Sequence, residues 1–134
     1  MDKVDLNLLR EIADLESTPQ GAYNIRKNGK LEGRASSANI VIETKTDKPG
    51  IDIRIAPGTK NESVHIPVIL TETGLNDMVY NDFFVGEGAD VVIVAGCGIH
   101  NGGCATSQHD GIHTFYLGKG SHVRYVEKHY GEGP

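Results

Sequence analysis

The chain has 134 residues, a formal charge of −5, 17 glycines, six histidines, two cysteines and no tryptophan. That length is one ordinary domain, able to bury about two-thirds of its unfolded surface without disulfide staples, and two cysteines make no disulfide framework. Frequent Ile, Val and Leu argue against disorder, no apolar run approaches the roughly 20 residues of a membrane span, and Met1-Asp2-Lys3-Val4-Asp5 carries no signal peptide.

The first predicted element is a helix over 2–16. Val4, Leu8, Ile12 and Leu15 fall on one face, with Leu9 and Ala13 beside them. Asp2 suits the N-cap, and Asp5 places an acid at the positive helix end. Ser17-Thr18-Pro19-Gln20-Gly21 stops it. The apolar face reads as a docking surface for the rest of the domain. The segment 23–31 reads as a small hairpin, because Asn28-Gly29 can supply the two positive-φ positions of a type I′ turn.

From Ala38 onward the pattern is strand and turn. Strands are predicted over 39–43, 51–55, 64–68, 91–94, 114–117 and 122–126. Ile51, Ile53 and Ile55 alternate strictly toward a core. Pro67 lacks the N–H that a ladder needs. Val91-Val92-Ile93-Val94 is apolar on both faces, as in a strand buried between layers.

An internal repeat organises this half. The segment 85–94 aligns with 117–126 at an offset of 32, and 55–59 is a weaker copy that precedes the first by an offset of 30. Glycine recurs where a corner needs positive φ or a close backbone pass. Repeated strands of this period stack, each burying a face against the next. The expected fold is mainly β: solenoid coils over 21–134, opening with the small hairpin, after an N-terminal helix, 1–20. A sandwich with look-alike hairpins is the alternative. The last coil runs into Gly133-Pro134 with no polar cap, so a truncated core, or a cap formed by dimerisation, is expected.

Charge is distributed unevenly. The half from 1 to 67 balances, while the half from 68 to 134 carries the whole −5, both cysteines and five of the six histidines. An acidic half lacks the clustered Lys and Arg that nucleic acid requires and points toward cations. The densest cluster reads Cys97-x2-His100-x3-Cys104-x4-His109-x3-His113. Thiolate and imidazole ligate zinc and iron, and the intervening glycines permit a tight loop. The same residues also fit a buried thiol and turn histidines. A second group is Glu127-Lys128-His129 with Glu132, which alone reads equally as a solvated strand end. The repeat sharpens it: His129 follows Cys97 by the same offset of 32, so stacked coils would make these two neighbours about 5 Å apart. Phosphate-loop, dinucleotide and nucleophile-elbow frames are absent.

The runs Asp90–Asn101, His109–Phe115 and Val123–Gly133 together resemble the SufB/SufD family, scaffolds of SUF iron–sulfur cluster assembly, and the helix-first N-terminus is similar to the minimal archaeal and anaerobe members. The resemblance implies a right-handed parallel β-helix. It implies a non-enzymatic scaffold that carries a transient iron–sulfur cluster. The implied partners are a SufC-like ABC ATPase and a homodimer or SufB/SufD-type heterodimer, with no nucleic acid and no membrane. It carries over Cys97, His100, Cys104, His109 and His113 as metal ligands, and Glu127, His129 and Glu132 beside Cys97 as cluster contacts. Two alternatives stand: a zinc-dependent or Cys/His hydrolase on a β-solenoid, and a structural solenoid dimerisation module. A cytoplasmic location is expected, with free or metal-bound thiols.

Overall fold

The computed structural model describes Lys3, Asp5, Leu6, Leu8, Arg10 and residues 21–72, 74–100 and 108–132. Among these the elements are nine strands: β1 Ala22–Lys27, β2 Lys30–Ala35, β3 Ile40–Thr44, β4 Gly50–Ile55, β5 Lys60–Leu70, β6 Asn76–Val85, β7 Asp90–His100, β8 Gln108–Leu117 and β9 His122–Glu132. They form two mixed sheets, with orders β2-β1-β5-β7-β9 and β3-β4-β6-β8. No described helix is long and apolar enough to cross a membrane.

The predicted N-terminal helix is not among these elements. Lys3, Asp5, Leu6, Leu8 and Arg10 take helical backbone, and the remaining positions of 2–16 lie outside the described residues. Leu8 is buried against Ile25 and Ile69, so this segment docks on the five-stranded sheet. Asp5 accepts a 2.7 Å hydrogen bond from Lys27 Nζ there.

The hairpin forms as predicted. β1 and β2 pair antiparallel around Asn28 and Gly29, whose φ values are 50° and 79°. β3 and β4 make a second antiparallel pair. From β4 onward the chain alternates between the sheets, and each strand pairs in parallel with the strand two ahead. The registers carry the repeat. Asp90 pairs with His122 and Asn76 with Gln108, both at the offset of 32, while Gly50 pairs with Tyr80 at the offset of 30. In β5 the offset slips by one at Asn61, whose φ is 58°. Pro67 sits in this central strand where the ladder to β1 is interrupted, between Tyr23↔His65 and Arg26↔Val68, so its missing N–H breaks nothing on that side.

The corners hold the registers. Gly86 N donates to Ile55 O at 2.9 Å, and Gly118 N to Val85 O at 2.8 Å, so equivalent corners stack in a ladder. Between the sheets lie Ile53, Val64, Phe83, Val91 and Ile93, all essentially without exposed surface. Phe83 stacks on Phe115 of the next repeat at 4.7 Å and 9°. β6 has no counterpart among the predicted strands. Its inward face is Asp77, Val79, Asn81, Phe83 and Val85, and the two polar members conceal the alternation.

At Gly86 a Cβ would fall 2.5 Å from Pro57 N in the neighbouring corner, whereas at Gly131 it would meet nothing. Gly86→Ala is expected to lower stability by about 1–3 kcal/mol, the range for overpacking. Gly131→Ala is expected to stay within about 0.5 kcal/mol, as exposed substitutions do. The midpoints of urea denaturation check both.

Candidate functional site

Strand alternation brings the chemistry to one place. On β7, Cys97 follows Val91, Ile93 and Ala95 on the inward face. On β8, His109, Gly111 and His113 share one face. The register sets Cys97 beside His129, His109 beside Asp77 and His113 beside Asn81. The neighbourhood of Cys97 and His129 expected from the repeat offset is therefore present. A cleft of about 230 Å³ is lined by Cys97, His109, Gly111, His113, Glu127 and His129, above the apolar floor of Ile66 and Val68.

Asp77 organises the histidine side. Arg26 Nε and Nη2 donate to its two carboxylate oxygens at 2.8–3.2 Å. Its Oδ2 lies 3.0 Å from His109 Nδ1. Burial alone would raise the Asp77 carboxyl, but the hydrogen bonds from His109 and Arg26 outweigh it and hold the group well below the usual carboxylate range. A carboxylate on Nδ1 fixes the ring and directs Nε2 the other way, the arrangement that supports metal-ligating histidines. His113 Nδ1 faces the Asn81 side-chain amide at 3.5 Å, which turns its Nε2 inward, and Nε2 is free to ligate when the amide oxygen, in place of Nδ2, accepts from Nδ1–H. A Cβ on Gly111 would stand 3.1 Å from His113 Nε2 and 3.5 Å from His109 Nε2, so the glycine keeps open the space between the two nitrogens.

Glu127 bridges to the thiol side. Its Oε1 lies 3.7 Å from His113 Nε2, and its Oε2 lies 3.5 Å from His129 Nε2. Tyr125 donates to Oε1 at 3.0 Å. Burial, with the charges of Asp77 and Glu127 adding to it, pushes the Cys97 thiol up to about 12. Burial also lowers the His113 imidazole, against the pull of Glu127. Both groups are therefore neutral at physiological pH and can become ligands, the thiol by losing its proton to solvent as a cation takes its place. Among the described residues no three His, Cys, Asp or Glu side chains are already gathered tightly enough to enclose an ion.

Other expected ligands stand differently. The segment 97–100 is strand rather than loop, so Cys97 and His100, three positions apart, point to opposite faces, and the expectation that one loop turns both toward a single ion is corrected. His100 pairs in register with Glu132, whose side chain lies outside the described residues. Cys104 also lies outside them. Sequence patterning does not single out Arg26, Asp77, Asn81 or Gly111. A signal for Asp77 and Asn81 does exist, since they precede His109 and His113 by the repeat offset of 32.

The thiol and the carboxylate respond to pH in opposite directions. The raised thiol binds its proton more tightly in the folded state, so stability is expected to fall as pH rises from the ordinary thiol value of about 8.5 toward 12. In a Cys104→Ser background, iodoacetamide should modify Cys97 far more slowly in the folded protein than in urea. The depressed Asp77 carboxyl contributes stability above the ordinary carboxylate value of about 3.9, lost progressively as pH falls below it. Asp77→Ala removes one partner of a largely buried pair, with side-chain exposures of 19% and 5% for Arg26 and Asp77, and is expected to cost about 3–5 kcal/mol in denaturant melts. No protein-family model, curated protein or solved structure matches the chain.

Proposed function

We propose that this chain is a scaffold component of SUF-type iron–sulfur cluster assembly, and that its two sheets are the coils of a right-handed parallel β-helix. The cluster is cargo, assembled in the cleft and passed on. The working partners are a SufC-like ABC ATPase and a second scaffold subunit, identical or SufB/SufD-type, in the cytoplasm. ATP hydrolysis belongs to the partner.

One observation carries the reading. Parallel pairing places Cys97 beside His129, with Glu127, His109 and His113 in the same cleft. Thiolate, imidazole and carboxylate around one partly enclosed space are the donors that iron in a nascent cluster accepts. The coil reading is supported by parallel neighbours at offsets of 29 to 32 from β4 onward in the two sheets. The Cys/His hydrolase alternative fits less well. A nucleophilic cysteine needs a lowered thiol pKa, and burial moves Cys97 the opposite way.

Anaerobic reconstitution of the full chain with ferrous iron and sulfide tests the proposal. The expected result is broad visible absorption that a Cys97→Ala, Cys104→Ala double variant abolishes. Absence of the chromophore in the unaltered protein, or its persistence in the double variant, would sink the assignment.

A further inference from the structure

The cleft has two chemically different walls. Cys97 and His129 stand on the five-stranded sheet, and His109, Gly111 and His113 on the four-stranded sheet, with Glu127 able to reach both. We infer that the histidine wall is a separate entry site for a single divalent transition cation of the ferrous or zinc kind, liganded by His109 Nε2, His113 Nε2 and the Glu127 carboxylate and assembled without the thiol. This deepens the scaffold reading and rests on it for its purpose, since ferrous iron is one of the two components a cluster needs. Its ligand set is testable with no sulfide present.

Three independent features point to a cation here. First, both histidines turn Nδ1 toward a partner of the preceding repeat, the Asp77 carboxylate or the Asn81 amide, and direct Nε2 toward the same space, the amide oxygen accepting from His113 Nδ1–H when Nε2 ligates. Second, the one residue between them on that face is glycine, and any larger side chain would occupy that space. Third, a carboxylate stands close by. Ligand atoms around a tetrahedral ion with bonds of about 2.0–2.1 Å lie about 3.3 Å apart, and His113 Nε2 to Glu127 Oε1 is 3.7 Å. A turn of the Glu127 carboxylate away from His129 closes the third side. Water fills the remaining position, which leaves the ion open to sulfide or to the Cys97 thiolate.

Arg26 and Asp77 act on this site through His109. Arg26 neutralises Asp77 and holds it in place, so the carboxylate orients the imidazole while staying out of the ion's reach. They are positioning residues, and their loss should weaken binding without changing the ligand atoms. Removing a partner that orients a ligating imidazole costs about 10–100-fold in metal affinity.

Cobalt(II) titrated into the full chain, in the absence of sulfide, reads the ligands directly. The expected result is stoichiometric binding with the ligand-field spectrum of nitrogen and oxygen donors and no thiolate-to-cobalt charge-transfer band. Gly111→Ala keeps an ordinary strand conformation and should remain folded by circular dichroism, yet weaken cobalt at least tenfold. His113→Ala should do the same, and Asp77→Asn should weaken it about 10–100-fold with the spectral shape unchanged. A thiolate band in the unaltered protein, no cobalt binding, or undiminished affinity in folded Gly111→Ala would overturn the inference. The iron-and-sulfide reconstitution separates the two proposals. A chromophore from a protein that binds no cobalt leaves the scaffold standing and removes the entry site. Cobalt binding by the histidine wall in a protein that forms no chromophore removes the scaffold and leaves the ion site.

Discussion

Everything in this molecule depends on parallel register. Each strand from β6 onward lies beside the strand one full repeat earlier, and the corner bonds from Gly86 to Ile55 and from Gly118 to Val85 fix that alignment to the residue. A slip of one position would turn every inward side chain outward. The core stacks apolar on apolar, Phe83 on Phe115 and Ile93 beside Tyr125, because equivalent positions are forced together. The cleft obeys the same rule, and Cys97 meets His129 for the reason that Val91 meets Val123.

Register also explains how a polar interior is tolerated. Placing Asp77 and Asn81 on the inward face of β6 costs free energy unless each finds a partner. The partners arrive from the next repeat as His109 and His113, and from β1 as Arg26. At the other end of the same strands Val85 and Phe83 continue the apolar core. One pair of sheets thus contains an apolar half, dry and tightly packed, and a polar half, the wet one, that opens into the cleft.

The dry half is legible in the sequence. Strict alternation at Ile51, Ile53 and Ile55 and the turn chemistry of Asn28-Gly29 each give the correct local structure, and the offset of 32 gives the correct neighbours. The wet half is only partly legible. Cys97, His109, His113, Glu127 and His129 are conspicuous residue types, and all five line the cleft. β6 escapes sequence patterning because Asp77 and Asn81 occupy positions where an apolar residue is the signal for a strand. His100 is misplaced for a related reason: glycines at 96 and 98 suggest a loop, whereas cross-strand pairing holds them in β7. Tertiary pairing overrides local propensity at both places, and both adjoin the cleft.

The Arg26–Asp77 clamp has a consequence for how the molecule comes apart. Stacks of repeated units are held mainly by nearest neighbours, so they can fray from an end one unit at a time. Arg26 belongs to the first strand and to one sheet, while Asp77 lies 51 residues later on the other sheet. Asp77 in turn holds His109, in the repeat that follows its own. This polar bond links residues distant in sequence but adjacent in the stack, so melting the β1–β2 hairpin releases the orienting carboxylate behind His109. Fraying at the front of the chain is therefore coupled, through one carboxylate, to the orientation of an imidazole in the cleft.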